Sequence, residues 1–490
     1  MKEEMYELNE DMSSSSLYND DLAPTKLKDR TWNTYNYTAL WIGMAHCVPT
    51  YTMAGSLIAL GMSWIQALLT ITLGNLIVLI PMLLNSHPGA KYGISFPVFA
   101  RASFGTKGAN IVAILRAIVA CGWFGINTFI GGSALNVLVS SLVPGFSHIG
   151  GNFQIAGLSL SAGITFMIFW AIEMMIIYKG MDIVKKFENW AAPLVMILAL
   201  ILLVWMVVSA KGFGPLLSTP SKFTNAGQFM KVFIPSLTGT VGFWATISLN
   251  IPDFTRFAKS QKQQMKGQAI GLPVTMTVFS AMGILITSAS VILYGKSMWD
   301  PVEVISKFTN PVALLVGFFG IVVASLSVNI AANIVSPAYD FSNCYPKRIS
   351  FKMGGLITGV IGILMMPWRL LADPSGYIFT WLGTYSGILG PIAAIIICDY
   401  WVCRKTKLNL KDLYSTTGEY SYTNGFNPRA IIALILGIVG ALIGKIVPSL
   451  SGVSDYAWFV GFGLSFVIYL LLNRGKSVTS TNASPKEEVV

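Results

Sequence analysis

Two apolar stretches of this chain are each long enough to cross a bilayer, and each is interrupted where a membrane helix is most regular. Residues 34–61 carry Gly43, His46 and Pro49 in mid-span, and residues 230–254 carry Pro235, Gly239, Gly242 and Pro252. Glycine and proline loosen the backbone ladder, and in hydrocarbon a freed N–H or C=O costs several kcal/mol unless protein, ligand or ion meets it. A single such interruption can be a plain kink. Two of them, in the first and sixth spans, form the pattern that an inverted repeat of five helices leaves in some secondary transporters, and they imply a cavity between the breaks.

The class follows from composition. Hydrophobic residues make up 54% of the 490 and charged residues 11%, with a mean hydropathy of +0.63, which places the chain among polytopic membrane proteins. A helix needs about 20 apolar residues to cross, and on that ruler the chain is all-α with about twelve spans. They fall near residues 34–61, 62–86, 109–141, 155–178, 188–210, 230–254, 267–294, 309–336, 354–371, 376–399, 429–448 and 456–473. The organisation expected is a tail (1–33), a first repeat of helices 1–5 (34–210), a second of helices 6–10 (230–400), two further helices (429–473) and a second tail (474–490). Both tails are polar and are expected to be disordered, with no cleaved signal segment.

Positive charge sets orientation. If the first loop is external, one side of the membrane collects Lys91, Arg101, Lys107, Arg256, Lys259, Lys347, Arg348, Arg404 and Lys405, whereas the other holds chiefly Lys211, Lys222, Lys296 and Lys307. Both termini are therefore expected in the cytoplasm, at the plasma membrane. This asymmetry accounts for most of the net charge of +11, so basicity is no argument for a nucleic-acid partner. Five cysteines, three of them within spans, give no disulfide framework. No phosphate loop, zinc-protease helix or nucleophile elbow is present, which argues against ATP-driven transport and against an enzyme.

Polar groups inside spans are expensive and tend to be functional. Arg116, Glu173, Asp399 and Lys445 are expected to pair with one another or to reach an interface. The third span reads Cys-Gly-Trp-Phe-Gly-Ile-Asn-Thr at 121–128, so Trp123 and Asn127, four apart, share a helix face. Asn329 and Asn333 repeat that spacing in the eighth, among small residues that let backbones approach. An indole offers a stacking face, and a carboxamide matches the amide edge of a cyclic urea or imide. With Trp244 in the second break as another wall, these residues suit a planar neutral heterocycle; the alternative is that they only pack and join helices.

These segments, together with Trp41 to Leu57, Phe243-Trp244 through Pro252-Asp253, residues 331–339, Met365 to Trp368 and Asp399-Tyr400, resemble the nucleobase-cation-symport-1 family over nearly the whole chain between the tails. Within that family the overall likeness is greatest to the bacterial subgroup that carries allantoin, a hydantoin with a ureido arm. The resemblance implies the leucine-transporter fold, a 5+5 inverted repeat plus two C-terminal helices. It implies Trp123 and Trp244 as the two faces around the ring and Asn333 as its hydrogen-bonding partner. Asn127 and Cys47 replace glutamines of the family's site and Phe243 replaces a glycine, so the pocket is reshaped. It also implies a sodium site built from carbonyls around Gly43, His46 and Ala324 with the Ser327 hydroxyl. Val328 stands where a threonine is expected and offers no side-chain oxygen. Weak sodium binding or proton coupling is therefore expected, with His46 either a proton carrier or a neutral histidine within the break. The implied activity is import of allantoin by alternating access. Another hydantoin or a nucleobase such as uracil or cytosine is the nearest alternative, and a channel or non-transporting sensor the more distant one. No cofactor is expected, the partners being a small heterocycle and the lipid bilayer, and the unit a monomer.

Overall fold

The structure, a computed structural model, describes residues 4–179, 181–213, 217, 220–296, 298, 300–307, 310–370, 381 and 383–474. Among these, nine helices are long and apolar enough to cross a membrane. Two further crossings are interrupted and one is short, which makes the twelve that the hydropathy pattern requires.

The first interrupted crossing is α1 (Thr34–Ala45) followed by α2 (Val48–Ala59). Asn33 and Asn36 cap α1 reciprocally, while His46 and the extended Cys47 separate the two rods. Pro49 sits in the first turn of α2, where its missing N–H costs nothing. The second comprises α8 (Ala226–Phe243), α9 (Ala245–Asn250) and α10 (Pro252–Thr255). Its main break falls at Trp244, next to Gly242, whereas Pro235 is accommodated inside a continuous helix. Between them run α3 (Trp64–Tyr92), the short α4 (Phe96–Phe104), α5 (Gly108–Leu142), α6 (Leu160–Tyr178) and α7 (Met181–Ser209). After them come α11 (Gln261–Tyr294), α12 (Pro301–Ile305), α13 (Pro311–Val328), a π-helical turn (Asn329–Ile334) and α14 (Val335–Cys344). The C-terminal third holds α15 (Phe351–Leu364), α16 (Pro367–Leu370), α17 (Gly383–Ile397) with a second π turn (Cys398–Cys403), α18 (Pro428–Ile446) and α19 (Ala457–Asn473).

Two packed bodies position the site. In one, α11 lies against α1, α2 and α3, and α3 against α8; in the other, α5 packs on α6, α13, α14 and α15. The second body is tight at its centre. A Cβ on Gly125 of α5 would come within 2.4 Å of the Gly362 carbonyl of α15, so the two backbones touch directly.

Two expectations change, and part of two others falls outside the described residues. The fourth span does not begin at residue 155: Gln154–Ile155 pairs with Leu158–Ser159 in a hairpin, and α6 starts at Leu160. Ala156 and Gly157 both have positive φ, the mirror-image turn that matches strand twist. The start of the tenth span lies largely outside the described residues, as does the second tail from residue 475.

The second change concerns the N-terminal segment, which is packed where it is described. Leu22 is fully buried, and Arg30 donates to the carbonyls of Tyr6, Thr25 and Ala90. Arg256 donates to Asp21 and Thr25, Tyr414 to the Leu22 carbonyl, and Asn19 to Pro346. A polar composition conceals this because the segment buries few side chains and bonds instead to backbone at helix ends. Gly93, at φ 70°, has to be glycine there, since a Cβ would meet the Thr25 carbonyl at 2.7 Å.

Candidate functional site

All six residues singled out for the heterocycle meet at one place. Trp123 and Asn127 come from α5, Cys47 from the first break, Phe243 and Trp244 from the second, and Asn333 from the π turn; all line one cavity of about 20 Å³. Met44, Thr246, Ile247, Val328 and Ala332 complete its wall, and nothing in the sequence pattern had singled out Thr246. The π turn supplies the geometry, because one extra residue per turn swings Asn329 and Asn333 off the face that a regular helix would give them.

The cavity is narrow, and its volume has room for about one water, far less than a heterocycle needs. The two indoles do not face each other across an open slot. Phe243 bridges them, its ring centroid 5.2 Å from Trp123 at 73° and 5.0 Å from Trp244 at 80°, and Trp41 closes edge-on over Trp244 at 5.1 Å. Such edge-to-face contacts are favourable but modest, so a stacking ligand can replace them. The Trp244 indole N–H is buried without a hydrogen-bond partner among the described residues, a donor that a ligand carbonyl could satisfy. Replacing Phe243 by glycine should expose roughly 50 Å² more apolar wall to a planar heterocycle with an apolar arm, tightening its binding about tenfold. Quenching of tryptophan fluorescence measures this, and unchanged affinity would refute the idea that Phe243 fills the slot.

The polar groups are held from behind. The Asn127 amide donates to the Trp123 carbonyl at 3.1 Å, leaving its oxygen for the cavity. The Asn333 amide donates to the Asn329 oxygen at 2.8 Å, and of the two Asn329 amide hydrogens one goes to Glu173 at 2.7 Å and the other is shared by the Phe124 carbonyl and Thr128 hydroxyl, each at 3.0 Å. Glu173 is fully buried and, contrary to expectation, neither meets a cation among the described residues nor reaches an interface. Of the other three, two pair with charges outside the expected set rather than with one another, and the third reaches outward. Arg116 meets Asp340 at 3.3 Å, Asp399 meets Arg404 at 2.8 Å, and Lys445 extends to the Thr384 hydroxyl.

The residues implied for a cation divide between two places. His46 and Ala324 line a second, larger cavity of about 240 Å³ between the first break, α7, α12 and α13, which shares Cys47 with the first. Val328 turns to the aromatic cavity, while Gly43 and Ser327 are buried without lining either. His46 packs edge-on against Phe279 at 4.6 Å and Tyr51 at 5.7 Å, an apolar setting for an imidazole. Its Nδ1 has no partner among the described residues. No group of three or more His, Cys, Asp or Glu side chains converges among the described residues. Valine at 328 removes a hydroxyl from the set that the resemblance implies, so the donors here fit a hard cation poorly.

Comparison with known proteins gives concordant findings. Residues 24–461 match the family described as permease for cytosine/purines, uracil, thiamine and allantoin. The chain is 44% identical over 461 residues to the allantoin permease of Bacillus subtilis (strain 168), covering 94% of each. It is 42% identical over 489 residues to a purine-uracil permease of Arabidopsis thaliana, covering 97% of this chain and 81% of the relative. Among solved structures, a nucleobase-cation-symport-1 family transporter in a closed conformation with bromovinylhydantoin bound superposes with a TM-score of 0.77 at 24% identity, over 94% of this chain and 96% of the other.

Proposed function

The chain belongs to the family of permeases for cytosine/purines, uracil, thiamine and allantoin, and from that premise we propose that it imports allantoin across the plasma membrane by alternating access. One observation carries this reading: the narrow aromatic cavity lies on the seam between the two packed bodies. Met44, Cys47, Phe243 and Trp244 come from the body built on α11, and Trp123, Asn127 and Asn333 from the body built on α5. A ring held there touches both, so sliding one body against the other opens the cavity to one side of the membrane at a time. The aromatic walls take the hydantoin faces, and the Asn127 and Asn333 carboxamides take its N–H and C=O edge.

No covalent step is required, and the protein acts as a carrier rather than an enzyme. The lysine and arginine asymmetry puts both termini in the cytoplasm. The relatives' range keeps other hydantoins and the nucleobases uracil and cytosine as a second reading. Purified protein in liposomes should take up labelled allantoin saturably, with unlabelled allantoin competing more strongly than uracil or cytosine. Flux that rises linearly with concentration would indicate a channel, and binding without accumulation a sensor; either would overturn the proposal.

A further inference from the structure

Beyond transport itself, and resting on that reading, we propose that Glu173 carries the proton that drives uptake. The carboxyl sits in α6 with no exposure and no basic partner among the described residues. A bare carboxylate there would be among the most expensive groups a membrane protein can hold.

Hydrogen-bond counting points to an acid. The Thr128 hydroxyl oxygen lies 2.8 Å from the Phe124 carbonyl and 2.8 Å from Glu173 Oε2. A hydroxyl has one hydrogen to donate. If Thr128 donates to Phe124, the usual bond to its own helix, the contact with Glu173 needs a hydrogen from the carboxyl. If Thr128 donates to Glu173 instead, its oxygen and the Phe124 carbonyl face each other at 2.8 Å with only the second Asn329 amide hydrogen, 3.0 Å from each, to share. The arrangement is satisfied when Glu173 is protonated and donates to Thr128, with the Asn329 amide donating to Oε1 at 2.7 Å.

The charge state is connected to the cavity. Asn329 joins Glu173 to Asn333, and Asn333 lines the cavity. Loss of the proton turns the Thr128 hydroxyl onto the carboxylate and strengthens the pull on the Asn329 amide already bonded to it, which shifts the carboxamide that holds Asn333. The O–H bond of Glu173 breaks once the cavity opens to the cytoplasm, the proton passing to solvent water; water on the outer side returns one before the next cycle. One proton then accompanies one substrate.

Few other titratable groups stand on the elements packed against α6. On α5 the titratable groups are Arg116, paired with Asp340 of α14, and Cys121; Arg116 stands about 18 Å along the helix from Thr128. The first turns of α7 carry Asp182, Lys185, Lys186 and Glu188, α6 itself ends at Tyr178 and Lys179, and α15 begins with Lys352 over the Tyr178 ring. The π turn has none.

The test uses full-length protein in liposomes containing a pH-sensitive dye, with labelled allantoin outside. With an inside-alkaline gradient of one pH unit, the wild type should accumulate allantoin about tenfold and acidify the lumen on its addition. Glu173→Gln should keep counterflow exchange within about threefold but neither accumulate nor acidify. Accumulation by Glu173→Gln equal to wild type would overturn the proposal, as would sodium-driven wild-type uptake without lumen acidification. If Glu173→Gln loses counterflow, Thr128→Val decides: removing the acid's partner should move the pH midpoint of uptake by about half a unit or more, and an unmoved midpoint overturns the assignment. Absence of any saturable uptake by the wild type would instead refute the transport reading.

Discussion

Asn333→Ala should reduce allantoin uptake, measured as kcat/KM, by roughly 10- to 100-fold while the protein still reaches the membrane. The side chain is 6% exposed, lines the cavity and is fixed by its bond to Asn329, so little orientational freedom remains to be lost when a ligand binds. Truncation leaves a ligand amide without its partner in a dry site, which costs about 1–3 kcal/mol. The same change leaves the Asn329 oxygen unpaired and so weakens the support behind the cavity. Thermal unfolding in detergent separates the two effects, because a binding role predicts a large kinetic loss with a shift of only a few degrees. Kinetics within twofold of wild type would exclude this cavity as the substrate site.

Arg404→Ala should be the most damaging change away from the cavity. Arg404 follows the second π turn and binds four groups: Asp399 at 2.8 Å, the Ala102 carbonyl at 3.1 Å, the Tyr422 hydroxyl at 2.6 Å, and Glu419. Asp399, 2% exposed, also accepts from Ser103 of α4 at 3.0 Å and from Tyr469 of α19 at 2.8 Å. The cluster thus ties α17, α4, α19 and the loop before α18 together. Breaking a buried pair by removing one partner costs about 3–5 kcal/mol, since the remaining charge stays buried. Lysine cannot replace the fork. The expected result is a sharp fall in melting temperature and in membrane yield. Asp399→Asn combined with Arg404→Leu should recover part of it, whereas a single mutant melting within a degree or two of wild type would refute the role.

The legible parts of this protein are those written in short windows of sequence. Gly43, His46 and Pro49 mark a real break because local backbone chemistry governs it, and the i, i+4 spacing of Trp123 and Asn127 held because α5 is a regular helix there. The N-terminal segment misled for a related reason: average polarity is visible in a window, but the bond of Arg30 to the Ala90 carbonyl at the end of α3 is not. Glu173 was recognised as a costly residue, yet its partners lie on other helices, Thr128 being 45 positions away and Asn329 156.

The chain alone therefore determined its class, its twelve crossings, where two of them break, and which aromatic and amide side chains could serve a planar ligand, because hydropathy, glycine and proline act within a few residues. Tertiary structure decided that Phe243 closes the slot between the indoles, that Val328 turns to the aromatic cavity while His46 and Ala324 face another, and that a buried acid stands behind Asn333. Those outcomes depend on how helices distant in sequence are rotated and set against one another, which no local pattern encodes.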